Sequence, residues 1–338
     1  MPESLQKICN MLKERDNFLV VSHATPDGDA IGSQLGMACI LKALNKNFRL
    51  YNISGIPATL SWVNTGFEVF ENLYELGEFK TDVCIFVDCG DSARAGQEIY
   101  GMLENRAFPA SICIDHHREN PEFATLNWVD PTASSTAYMV AEIARNFKIP
   151  LEGPLGRFIY LGLVEDTGSF SYGNTDARTF ALASEIAGLG LNVGQFNNCR
   201  EHTWSMEKFR FWGKLSNEIQ LAHGNTIAYV CVTQAMLEEA GLNVADLSDF
   251  ASWMRRIKGT RVCALIRENG PGRIKVSLRS SLNVNVQKVA VHFGGGGHMN
   301  AAAMEMNGTV KSAVDSVLPL LSKEIDLTEN KTACSRIE

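Results

Sequence analysis

The sequence predicts an α/β protein: a doubly wound parallel sheet, then a helical connector, then a smaller second α/β domain, with the functional site in the interdomain cleft. Three observations carry this. Short β-branched runs alternate with stretches of helical periodicity through the first half of the chain. Helical sequence punctuated by Gly188, Gly190 and Gly194 fills the middle. Strand-like runs then return, followed by two further helical stretches.

Taken in order, residues 18–22 read as a buried strand and 32–44 as a helix. Residues 83–87 are a strand ending at Asp88, 111–114 a strand ending at Asp115, and 136–147 a helix opened by Ser and Thr residues suited to capping. In a parallel sheet, ligands bind beyond the carboxyl ends of the strands, where these polar residues fall. The first domain is expected over 1–190 and the connector over 191–222. The second domain spans 223–327, with strands at 227–232, 262–266 and 274–278 and helices at 286–291 and 310–321. Residues 328–338 read as a frayed polar tail.

The 338 residues exceed one ordinary domain, and 45% hydrophobic content supplies a sizeable core. A net charge of -7 argues against a protein that coats long nucleic acid, duplex included. The first 15 residues are interrupted by charge and no run reaches transmembrane length, so the expected location is the cytoplasm, away from membranes. Several of the nine cysteines, such as Cys84 and Cys113, sit inside apolar runs and read as reduced core residues.

The loop after the first strand, His23-Ala24-Thr25-Pro26-Asp27-Gly28-Asp29, packs one imidazole and two carboxylates into a tight turn. Alone, Asp-Gly-Asp is most often a solvated turn and His116-His117 an ordinary pair of polar residues. Here Asp88, Asp115-His116-His117 and Asp166 repeat the same chemistry at further element ends. Carboxylates gathered in one place repel one another and are costly to desolvate, so they call for positive charge. Divalent cations can supply it, and oxygen with imidazole ligands suits manganese better than a thiolate-seeking metal. A second signal is Phe293-Gly294-Gly295-Gly296-Gly297-His298, whose glycines allow a phosphate to approach the main chain and whose histidine adds a directed donor. The basic residues between Arg255 and Lys288 face only Glu268 in opposition, which fits an anionic substrate.

His23-x-x-x-Asp27-x-Asp29, Asp88, Asp115-His116-His117 and Asp166 together resemble the signatures of the DHH phosphoesterases. The glycine-rich histidine segment and Ser277-Leu278-Arg279-Ser280 resemble the DHH-associated C-terminal domain, with Ala303 where family members commonly carry glycine. The resemblance implies two Mn2+ ions, with Mg2+ or Co2+ as substitutes. It implies that His23 and Asp27 bind one ion, that Asp29, His116 and Asp166 bind the other, and that Asp88 bridges them. His117 would face the substrate phosphate, Asp115 would orient its neighbours, and Arg279, His298 and Gly294, Gly295, Gly296 and Gly297 would hold the substrate. Two ions about 3.5–4 Å apart can activate a shared water and neutralise developing charge on a phosphoryl group.

Chain length and the lack of added modules look like the nanoRNase and pAp-phosphatase group, whose partners are short single-stranded RNA and small phosphorylated nucleotides; a homodimer is compatible with that resemblance. Cleavage of cyclic or linear dinucleotides is the main alternative, since it needs the same two subsites. A RecJ-like exonuclease, which is normally longer, and a non-catalytic nucleotide-binding protein rank below it.

Overall fold

The computed structural model describes residues 2–63, 66–202, 204–281 and 283–334, with side chains of the last helix described as far as Thr328. The chain divides into two compact units, Met1–Thr203 and Trp204–Glu338.

In the first unit the elements run α1 (Glu3–Glu14), β1 (Asn17–Val21), α2 (Gly28–Ala43), β2 (Asn47–Tyr51), β3 (Val69–Phe70), β4 (Val83–Val87), α3 (Gln97–Glu104), β5 (Ala110–Asp115), β6 (Leu126–Val129), α4 (Thr136–Asn146), α5 (Gly153–Asp166), α6 (Ala177–Gly188) and α7 (Val193–Glu201). The six strands form a sheet in the order β3-β2-β1-β4-β5-β6. Every neighbouring pair is parallel, as the alternation of strand and helix predicts. Phe18 and Val20 on β1, with Val83, Ile85 and Val87 on β4, enter a core shared with α1, α2, α4 and α5. Leu19, Val21, Cys84 and Phe86 point the other way, onto Ile99 of α3 and Phe108. Burial on both faces explains why these strands read as continuous apolar runs.

The chain leaves β1 toward β2 on one side and meets β4 on the other. This reversal of strand order opens a crevice at the carboxyl ends of β1 and β4. Helix α2 starts four residues before the predicted 32, because Asp27 caps it: its Oδ1 accepts from the N–H groups of Asp29 and Ala30, both at 3.1 Å.

The second unit contains α8 (Met206–Asn217), β7 (Gln220–Ala222), β8 (Ile227–Val232), α9 (Gln234–Ala240), α10 (Phe250–Met254), β9 (Val262–Glu268), β10 (Arg273–Ser280), α11 (Val286–His292), β11 (Gly296–His298), β12 (Ala301–Asn307) and α12 (Val310–Cys334). Its sheet, ordered β11-β12-β10-β9-β8-β7, is antiparallel except for β8 with β9. Helices α11 and α12 cover one face. Helices α8, α9 and α10 cover part of the other.

The expected connector gains detail and the expected tail changes. The stretch 191–222 holds two helices, α7 and α8, that belong to different cores, and the division between the two units falls inside it. Phe196 of α7 packs edge-on against Trp62 and Tyr160, with ring centroids 5.1 and 5.0 Å apart. Trp212 of α8 instead lies 4.9 Å from Phe250 of the second unit. The tail expected from 328 is helical through Cys334, because buried Ile325 and Thr328 carry α12 onward. Residues 335–338 of that tail lie outside the described residues.

Candidate metal centre

The loop after β1, the ends of β4 and β5, the first turn of α4 and the last residue of α5 converge in the first unit. His23 follows β1 and is 4% exposed. Its Nε2 lies 3.6 Å from Asp88 Oδ2 and 3.9 Å from Asp27 Oδ1. His116 follows β5, with Nε2 3.0 Å from Asp166 Oδ2, 3.7 Å from Asp88 Oδ1 and 4.0 Å from Asp29 Oδ2. Asp88 is therefore common to both groups. It stands just past β4 with a φ of 56°, in the left-handed region, which turns its carboxylate inward; such a backbone costs an ordinary residue roughly 1–2 kcal/mol. Asp166 comes from the end of α5 and not from a strand of the sheet.

His117 is turned by Asp115, whose Oδ1 lies 2.7 Å from His117 Nδ1. Asp115 is fully buried, and its Oδ2 accepts from Asn120 Nδ2 at 2.6 Å. The same Asn120 amide donates to the Cys89 carbonyl at 3.0 Å, tying the β4 and β5 ends together. Sequence reasoning missed Asn120, although it lies three residues after His117 in a polar loop. It also missed Thr136. Ser135 caps α4 as expected, accepting from Tyr138 N–H at 3.1 Å, but the Thr136 hydroxyl donates to Asp88 Oδ1 at 3.0 Å. Asp29 is held by the same helix end: Oδ2 accepts from Thr136 N–H at 2.7 Å, and Oδ1 from Ala137 N–H at 2.9 Å and the Ser33 hydroxyl at 3.3 Å.

These carboxylates disturb one another. Burial, then the charges of Asp88 and Asp166, raise the Asp29 pKa well above the usual carboxylate range, against the pull of His116. Asp27 leaves half its side chain open to solvent, yet the protein packed around its carboxyl, followed by Asp88, raises its pKa too. At Asp88 burial acts upward, but His23, His117 and His116 outweigh it and the pKa falls. Burial would lower both imidazoles that follow β5. Asp166, Asp88 and Asp29 instead raise His116 well above the ordinary histidine value, and Asp115 and Asp88 raise His117.

The donor set fits divalent cations. His23, Asp27 and Asp88 offer ligand atoms within 4.8 Å of one another, as do Asp29, Asp88 and His116. His23 Nδ1 is buried without a hydrogen-bond partner among the described residues. Cys89 is next to Asp88, but burial, with Cys113 and two aspartates behind it, pushes its thiol pKa well up. Neither group includes a cysteine, so among the described residues the ligands on offer are oxygen and imidazole.

The remaining predicted residues lie in the second unit. Arg279 is on β10, with Nε donating to the Ser252 hydroxyl at 3.1 Å and Nη1 to the Leu278 carbonyl at 3.0 Å. Gly296, Gly297 and His298 form β11, paired with Ala303, Ala302 and Ala301, and His298 is exposed. Gly295 and Gly297 have a steric reason as well: a Cβ would lie 2.3 Å from the Ala303 carbonyl oxygen at the first and 2.4 Å from that of Ala301 at the second.

Residues 17–163 match the N-terminal domain of the DHH family, and residues 224–326 match the DHHA1 domain. The chain belongs to the DHH family of phosphoesterases. It is similar to the bifunctional oligoribonuclease and PAP phosphatase NrnA of Thermus thermophilus, 29% identical and covering 96% of this chain and 95% of that one. The protein of the same name from Bacillus subtilis is 26% identical over 84% of this chain and 87% of its own. In fold the chain resembles an exopolyphosphatase-related protein from Bacteroides fragilis, with a TM-score of 0.86 at 24% identity, covering 95% and 96% of the two chains. Among the described residues no helix is long and apolar enough to cross a membrane.

Proposed function

We propose that this DHH phosphoesterase hydrolyses short oligoribonucleotides to mononucleotides and dephosphorylates pAp in the cytoplasm, with Mn2+ as its cofactor. The observation that carries the reading is the pair of ligand groups sharing Asp88, one with His23 and Asp27, the other with Asp29 and His116. The family and the similarity to oligoribonuclease and PAP phosphatase relatives over nearly the whole chain support it.

His23 and Asp27 would hold one cation, Asp29, His116 and Asp166 a second, and Asp88 would serve both. When bound, the cations supply an activated water and neutralise charge on the phosphoryl oxygens. The protein does the rest. Thr136 and the α4 amides fix the Asp88 and Asp29 carboxylates. Asp115 engages His117 Nδ1 and raises its basicity, and the imidazole would donate a proton to a phosphoryl or leaving-group oxygen of the substrate. In the second unit Arg279, His298 and the Gly294–Gly297 backbone would hold a further phosphate or base of the substrate.

The test is initial rate with Mn2+ on pAp, on cyclic di-AMP, and on RNAs from about two to 30 nucleotides of matched sequence. The proposal expects rates highest at about two to five nucleotides, and loss of activity in chelator. Full activity in chelator would end the metal reading. Preference for cyclic di-AMP would establish the dinucleotide alternative, and rates level or rising with RNA length would establish a RecJ-like exonuclease.

A further inference from the structure

Besides Arg273, which is ion-paired with Glu305, the sheet face that carries Arg279 holds two more cations that the reaction described above does not use. Along β10, Ile274, Val276 and Leu278 enter the core against α11 and α12, while Lys275, Ser277 and Arg279 share the opposite face. The register sets Lys275 beside Arg267 on β9 and opposite Glu305 on β12. Arg267 is only 8% exposed. Its Nη1 donates to Asn269 Oδ1 at 2.7 Å and to the Glu268 carbonyl at 3.3 Å, both neutral acceptors. Glu305 is the carboxylate placed to neutralise Lys275, but it is engaged elsewhere. Its Oε1 accepts from Asn269 Nδ2 at 2.8 Å and its Oε2 from Arg273 Nη2 at 2.6 Å. Among the described residues neither Arg267 nor Lys275 forms an ion pair.

Two adjacent cations drawn partly out of water are an unfavourable arrangement unless an anion joins them. Burial, then the charge of Arg267, lowers the Lys275 pKa, with Glu305 pulling weakly the other way. Burial lowers that of Arg267. Between this pair and Arg279 the face is bordered on β12 by the small side chains of Ala301 and Ala303, both half-buried. Lys275 is four residues from Arg279, or about 13 Å along an extended strand.

We propose that Arg267 and Lys275 form an anion subsite for a phosphate of the bound nucleotide chain beyond the one held at Arg279, so that it favours longer oligonucleotides over pAp. This deepens the function proposed above and rests on it. A side chain that meets only the more distant phosphate contributes to binding in proportion to chain length, which the shortest substrates cannot exploit.

The test uses the full chain in chelator, so that binding is read without turnover, and follows labelled RNAs of about two and five nucleotides by fluorescence anisotropy, with pAp as competitor. Lys275→Gln should weaken the longer RNA about tenfold and reduce its salt slope by about one, leaving pAp and the dinucleotide within about twofold. Lys275→Arg should restore binding. Lys275→Met, which keeps the aliphatic stem, guards against a packing defect, and urea midpoints verify that the variants fold. An equal loss at both lengths, or none, overturns the subsite. Inorganic tripolyphosphate run alongside separates the two readings. Lys275-dependent polyanion binding by a protein that takes no RNA sinks the nucleotide reading alone, whereas polyanion binding indifferent to Lys275→Gln sinks the subsite itself.

Discussion

Replacing Gly162 by alanine tests whether the close crossing of α2, α4 and α5 is what sets the metal centre. A Cβ at Gly162 would lie 2.4 Å from Ala137 Cβ and 2.4 Å from Asp29 Oδ1. Carbon contacts settle at about 3.5–4.0 Å, so something must move by roughly 1 Å. Asp29 is poorly placed to yield, because Thr136 N–H, Ala137 N–H and the Ser33 hydroxyl all hold it. Overpacking costs about 1–3 kcal/mol and disturbing the carboxylate's hydrogen bonds about 1.5–3 more, against about 1 kcal/mol gained from alanine in a helix. The net expectation is a loss of roughly 1.5–5 kcal/mol with weakened Mn2+ binding. Gly213→Ala is the control: it lies in α8, a Cβ there meets nothing within 4 Å, and it should be neutral or stabilising. The assays are urea unfolding in chelator and calorimetric Mn2+ titration. A Gly162→Ala protein within about 0.5 kcal/mol of wild type, with wild-type metal affinity, would refute the reasoning.

Other perturbations read different parts of the centre. Asp88→Asn removes the one carboxylate facing His23, His116 and His117 together, and should lower Mn2+-supported turnover at least about a hundredfold with an unchanged circular dichroism spectrum. Near-normal turnover would overturn the ligand assignment. Arg279→Ala should raise KM about tenfold or more while changing kcat less, since the arginine is assigned to a phosphate away from the reacting one; a kcat defect at constant KM would contradict that. For pH, Asp27, Asp29, His116 and His117 have raised pKa values in the folded, metal-free protein. Raised groups stabilise below their unfolded pKa and lose that contribution as pH climbs through the folded value, whereas lowered Asp88 acts oppositely and only in acid. The Tm of chelated protein should therefore fall between about pH 5 and 8, and Mn2+ should remove or reverse the fall. A chelated Tm that rises across that window would show the sign to be wrong.

The site was legible to the extent that its chemistry is local. His23, Asp88, Asp115 and His116 each follow an apolar run, so the chain itself announces where a buried strand meets a polar end. Asp27 caps its own helix from a turn that Pro26 and Gly28 make recognisable. What was missed depends on contacts distant in sequence. The Thr136 hydroxyl reaches Asp88 across 48 positions, and Asp29 meets the α4 amides across 107 and 108. No window of sequence contains both partners, and a Ser-Ser-Thr run before a helix is fully explained by capping. The division inside 191–222 was hidden for a related reason: Phe196 and Trp212 look alike as aromatic residues on amphipathic helices, and only the partners Trp62 and Phe250 assign them to different cores. The glycines show the same division. Gly294 has a positive φ of 77°, which a glycine run suggests, whereas Gly295 is required by the β12 carbonyl beside it. Gly162 was not singled out at all, yet its missing Cβ leaves the space that Asp29 and Ala137 occupy. Ligand types can thus be read from strand ends, but the supports that hold a ligand to within a few tenths of an ångström come from other elements, which is why substitutions at Thr136 and Gly162 are sharper tests of the centre than another ligand deletion.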